Sequence, residues 1–184
     1  FLAVLDEAQA ALGRLFGARG GVTVPISATG SAGMEACLVN LLEPGDRIVT
    51  GVNGVFGTRM SEVASRAGAE VTRVDAEWGK ILEPAAMIKA IERVRPSVVS
   101  FVHAETSTGV VLGAERIAKL RAAADESGAL LVLDTVTSLA GLPVELDARG
   151  VDATWSGTQK CVACPPGLSP ISLSQRAVDV IESR

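Results

Sequence analysis

Apolar residues follow two rhythms along the chain. Short runs rich in β-branched residues read as strands: VTVPI at 22–26, RIVTG at 47–51, EVTRV at 70–74, SVVSFV at 97–102, ALLVLD at 129–134, DATWS at 152–156 and SPISLS at 169–174. Between most of them, apolar residues return every three or four positions, the spacing of one helix face. Leu5, Ala8, Leu12 and Phe16 share a face over 2–16, and Met34, Cys37, Leu38 and Leu41 do so within 31–42. Met87, Ile88, Ile91 and Val94 mark a third helix within 84–94. Ile117, Leu120 and Ala124 mark a fourth within 114–127, opposite Arg116, Lys119 and Glu126. Glu43-Pro44-Gly45-Asp46 reads as a stop and turn, and Ser127-Gly128 as a helix C-cap.

Strands this apolar, separated by helices, predict an α/β fold: a mostly parallel seven-stranded sheet covered by helices on both faces. The 184 residues predict one large domain. Hydrophobic residues at 48% and charged residues at 21% exclude a disordered chain. A net charge of −4 without a basic block gives no footprint for nucleic acid. The longest apolar runs fall far short of the roughly 20 residues that span a bilayer, so no membrane partner is expected. Three cysteines suggest no disulfide framework and point to a reducing, cytoplasmic setting. The chain opens on Phe1 without a leader-like segment, so a piece of a longer protein is expected.

In sheets of this kind ligands sit beyond the carboxyl ends of the strands, and chemistry-bearing residues cluster there. After 22–26, the loop S27-A-T-G-S-A-G-M-E-A36 runs into a helix, with Thr29, Gly30 and Ser31 at its start. Hydroxyls and N–H groups at a helix N-terminus form a phosphate seat, and equally a plain Ser/Thr cap. Neither a Walker loop nor a G-x-G-x-x-G is present, which counts against a nucleotide-dependent enzyme. Asp134 closes the run LLVLD, where a carboxylate needs a cationic or hydrogen-bonding partner or else serves as a local cap. Lys160 follows the strand at 152–156 and a glycine turn, and precedes the apolar, Pro-rich CVACPPGL. A lysine shielded there is a candidate nucleophile; the alternative is a surface lysine. The other lysines read as solvated: Lys89 and Lys119 on polar helix faces, and Lys80 in a polar connection. Phe56, flanked by glycines, reads as a loop aromatic that either packs in the core or stacks on a ring.

A phosphate seat, an aromatic face, an acid and a nucleophilic lysine form the set that holds pyridoxal 5'-phosphate. With SATGSAGMEACLVNLLEPGD, NGVFGTR, HAETSTGV, LLVLDTVTSLAG and SGTQKCVACPPGLSPISLS in that order, the chain resembles the class V aminotransferases of fold type I. It is most similar to their alanine–glyoxylate and serine–glyoxylate group, and the spacing of 26 residues from Asp134 to Lys160 matches. The resemblance implies the cofactor-binding large domain over residues 1–184, without the N-terminal segment and the C-terminal small domain of the family. Within it, Lys160 would be the catalytic Schiff-base lysine and Asp134 the partner of the pyridine nitrogen. Thr29, Gly30, Ser31 and Gln159 would contact the phosphate, and Phe56 would stack on the ring where relatives often carry Trp or Tyr. Thr106 would approach the ring 3-hydroxyl, and Val136 would pack on the opposite ring face.

The implied activity is transfer of the amino group of alanine or serine to a 2-oxo acid such as glyoxylate, by a homodimer. Ureidoglycine with glyoxylate, or pyridoxamine with pyruvate, are the alternative substrates. A non-catalytic protein retaining the domain is the rival class, disfavoured by the joint presence of Lys160 and Asp134. Cys161-Val-Ala-Cys164 has the C-x-x-C form, but Pro165-Pro166-Gly167 follows where a redox motif opens a helix. No second ligand pair completes a metal site, so none is expected. Cysteine desulfurases share the general fold but are disfavoured, because their catalytic cysteine would lie outside this chain. His103 reads as a satisfied strand-end residue, and Trp78 and Trp155 as packing residues.

Overall fold

The computed structural model describes residues 1–184. Its strands are β1 (Val22–Ile26), β2 (Arg47–Val52), β3 (Glu70–Asp75), β4 (Val98–Val102), β5 (Ala104–Glu105), β6 (Val110–Val111), β7 (Leu130–Asp134), β8 (Ala153–Trp155) and β9 (Ser169–Leu173). Its helices are α1 (Leu2–Phe16), α2 (Gly30–Leu41), α3 (Val55–Arg66), α4 (Pro84–Val94), α5 (Ala114–Ser127), α6 (Leu146–Arg149) and α7 (Gln175–Glu182). Seven strands form one sheet in the order β1-β9-β8-β7-β4-β2-β3, and β5 and β6 form a separate hairpin. Every pairing in the large sheet is parallel except those of β9, which runs antiparallel to both β1 and β8. The α/β class and the predicted strands are therefore observed, while α3, α6, α7 and the hairpin are additions.

Alternation along the central strands divides the core between the two sheet faces. In β7, Leu131 and Leu133 pack with α4 and α5, whereas Leu130 and Val132 pack with α2 and α3. By this parity Asp134, the last residue of β7, faces the α2 and α3 side. Trp155, fully buried at the end of β8, lies on that side too and pairs in register with Asp134. Gly33 lets α2 approach closely: a Cβ there would lie 2.1 Å from Ser169 Oγ and 3.1 Å from Trp155 Cβ. Trp78 differs from its expected packing role and is 62% exposed, because the 76–83 connection runs over the surface. No helix is long and apolar enough to cross a membrane.

Candidate active site

The ends of β1, β2, β7 and β8 converge on a cleft of about 220 Å³. From the β1 side come Thr29, Gly30 and Ser31, the N-cap and first residues of α2. Thr29 makes no side-chain cap bond, and the N–H groups of Gly30 and Ser31 have no acceptor within the chain. The positive end of a twelve-residue helix is thus left open toward the cleft.

From the β2 side comes Phe56, half-buried in the first turn of α3. The loop expected around it is a helix start. Arg59, one turn on, donates from Nη1 to Ser31 Oγ at 2.9 Å and places its Cζ 5.7 Å from the Phe56 ring centroid. A cation therefore stands beside the open end of α2, a feature the sequence reading missed because it did not see α3.

Val136 and Asp134 form the β7 wall. Asp134 Oδ1 accepts a hydrogen bond from the Val136 N–H at 2.9 Å, but buried Oδ2 has no partner. Burial is the chief reason that this carboxyl is pushed up from 3.8 to about 7. The Val136 N–H opposes the shift, the charge of Glu105 adds to it, and Trp155 and Lys160 oppose it. The Trp155 indole acts from nearby without a well-formed bond, since its buried Nε1 also lacks an acceptor.

Lys160 and Gln159 close the cleft after β8. Their loop is anchored by buried Thr158, whose hydroxyl donates to Pro165 O at 2.7 Å. Turn bonds from the Lys160 N–H to Gly157 O and from the Ala163 N–H to Lys160 O fix the backbone around the lysine. Half-buried Lys160 makes no ion pair, whereas Lys119 pairs with Glu115 on the surface and Lys80 and Lys89 are exposed. The Cys161 thiol donates to Thr137 O at 3.2 Å, tying this loop to the segment after Asp134.

The structure brings Thr29, Gly30, Ser31, Phe56, Asp134, Val136, Gln159 and Lys160 to one cleft. Thr106 does not line it: its hydroxyl is paired with that of Thr137 at an exposed position. Met34 and Trp155, expected from the sequence only as packing residues, also line the cleft. His103 is buried outside the cleft, with Nδ1 bonded to Ser138 Oγ at 2.9 Å. A larger cleft of about 720 Å³ opens at the other ends of β7 and β8. There Arg121 and Arg176 are paired with Asp125 and Asp152, so it presents ions already neutralised by one another.

The residues present fit pyridoxal phosphate. The open end of α2 matches a phosphate, Phe56 and Val136 match the two faces of a ring, and the orphaned Asp134 Oδ2 matches a ring N–H. An unpaired amine stands beside them on Lys160.

Comparison with known proteins shows the family to which this sheet and cleft belong. The model of the family Aminotransferase class-V matches residues 1–183, and the chain belongs to that family of pyridoxal-phosphate-dependent enzymes. It is 36% identical over 184 residues to the (S)-ureidoglycine–glyoxylate transaminase of Bacillus subtilis, covering all of this chain and 44% of that protein. It is 37% identical over 183 residues to the alanine–glyoxylate aminotransferase of Drosophila melanogaster, of which it covers 46%. Among solved structures, an alanine–glyoxylate aminotransferase from Nostoc sp. superposes with a TM-score of 0.94 at 42% identity. That match covers all of this chain and 48% of the other. The chain thus spans less than half the length of the relatives it matches.

Proposed function

We propose that the protein is a pyridoxal-phosphate-dependent aminotransferase that moves the amino group of alanine or serine to a 2-oxo acid such as glyoxylate. The observation that carries the reading is the unpaired Lys160 amine facing the same cleft as the orphaned Asp134 Oδ2. Glyoxylate as acceptor is supported by its presence in the names of both the Bacillus and the Drosophila relatives. The Bacillus relative supports ureidoglycine as the alternative donor. Three unpaired thiols support a cytoplasmic setting.

Pyridoxal phosphate, when bound, supplies an aldehyde that condenses with amines and a ring that accepts the electrons of a broken Cα–H bond. Gly30 and Ser31 would hold the phosphate with their free N–H groups, with Arg59 and Gln159 beside them. Phe56 and Val136 would hold the ring between them and keep water from its faces. Asp134, whose buried Oδ2 has no partner in the chain, would hold a proton on the ring nitrogen. The Lys160 amine, at the mouth of the same cleft, would serve as the base that removes the proton from substrate Cα.

The visible spectrum of the full-length protein with pyridoxal phosphate tests the reading. A yellow band that bleaches with L-serine or L-alanine and returns with glyoxylate is expected. A band that neither amino acid bleaches overturns the donor assignment. No band at all overturns the enzymatic reading.

A further inference from the structure

Glu105 is 1% exposed and lies in the β5–β6 hairpin, behind the Phe56 wall of the cleft. Its Oε2 accepts the backbone N–H groups of Phe56 at 3.0 Å and Gly57 at 3.2 Å. Its Oε1 accepts the Ser107 N–H at 3.2 Å and the Ser107 hydroxyl at 2.7 Å. Ser107 Oγ in turn accepts the Val55 N–H at 3.0 Å. The first three N–H groups of α3 are thereby held by residues some 50 positions away. The helix has no cap of its own, because its N-cap is Gly54.

Gly54 is part of this clamp. A Cβ there would lie 2.4 Å from Ser107 Oγ and 2.5 Å from Glu105 Cγ, so only glycine lets the hairpin reach the helix. All four bonds to the Glu105 carboxylate come from neutral donors, two of them the N–H groups of Phe56 and Gly57 at the N-terminus of α3, where a negative charge is favoured. Between Glu105 and Ser107, Thr106 bonds to Thr137, and the Thr108 hydroxyl donates to Asn53 O at 3.1 Å. The hairpin therefore ties the first turn of α3 to the loop that follows Asp134, joining two walls of the cleft.

We propose that Glu105 is a positioning residue: by holding the first turn of α3, it sets where the Phe56 ring meets the cofactor ring. The proposal rests on reading the cleft as a pyridoxal-phosphate site. Glu105→Gln keeps the size of the side chain but turns an NH₂ group toward N–H donors.

The experiment is a double-mutant cycle on the full-length protein with Phe56→Ala, reading pyridoxal phosphate affinity and the visible band. Glu105→Gln should weaken binding about tenfold in the wild-type background, the scale of one lost charge-assisted hydrogen bond. In the Phe56→Ala background it should weaken binding less than about threefold, because the residue acts through that ring. Equal losses in both backgrounds would mean a general structural role and overturn the proposal, as would a Glu105→Gln protein that binds like wild type. If Glu105→Gln does not fold, Ser107→Ala replaces it, with the same non-additivity with Phe56→Ala expected and plain additivity refuting. A wild-type protein with no band overturns the reading of the cleft itself, a failure distinct from a normal wild-type band with an additive cycle.

Discussion

Asp134→Asn in the cofactor-free protein isolates the electrostatic cost of the cleft. The carboxyl is raised from 3.8 to about 7, chiefly by burial. A group that binds its proton more tightly when folded contributes stability that is fully present below its unfolded value. That stability is lost as the pH rises through the folded value. A shift of this size amounts to about 4 kcal/mol at its full extent, of which about 2–3 kcal/mol falls between pH 5 and 8. Asparagine still accepts from the Val136 N–H but carries no charge, and its unpaired NH₂ costs about 1–3 kcal/mol at every pH. Urea unfolding of full-length apoprotein at pH 5, 6.5 and 8 should therefore show the wild type losing about 2–3 kcal/mol more than the variant across that range. At pH 8 the variant should be at least as stable as the wild type, whereas it should bind pyridoxal phosphate more weakly. Parallel pH profiles for the two proteins would refute the argument, because they would mean that Asp134 does not titrate abnormally.

His103 has the opposite sign: burial, aided by the Arg149 charge, lowers it from 6.5 to about 4. Its contribution is present above 6.5 and lost as pH falls through 4, so His103→Gln should spare about 3 kcal/mol of the wild type's loss between pH 7 and 4, read by urea unfolding. Gly33→Ala drives a methyl into Ser169 Oγ at 2.1 Å, and should lower stability by about 1–3 kcal/mol in the same assay. Arg121→Met removes the 2.8 Å partner of Asp152, whose side chain is only 7% exposed. A loss of about 2–4 kcal/mol is expected there, and a loss under about 0.5 would show that Arg176 alone suffices.

Residues 130–134 show why so much of the fold was legible: an unbroken apolar run ending in a carboxylate has few places to go except a central strand whose end faces a ligand. The reversed direction of β9 was not legible, because apolar runs carry no polarity of strand direction. Helix α3 was hidden for a different reason. The usual start signal is a Ser, Thr, Asp or Asn beside the helix, and here Gly54 stands there while Glu105 supplies the acceptor from another hairpin. An N-terminus with no local cap, taken with a buried acid in a Ser/Thr turn, is the signal that would have found both. Helix α7 does carry a local cap, Ser174 accepting from the Ala177 N–H, but its eight residues are too few for a strong period. Thr106 does not line the cleft and its hydroxyl is paired with that of Thr137, a partner that spacing along a sequence does not reveal.

Lys160, and no other lysine of this chain, is the amine proposed to meet the cofactor. Borohydride reduction of the full-length protein with pyridoxal phosphate, followed by peptide mass mapping, tests it directly. A pyridoxyl group fixed on Lys160, and its loss in Lys160→Ala, is the expected result. A modification carried instead by Lys80, Lys89 or Lys119, or unchanged labelling in the Lys160→Ala protein, would contradict it.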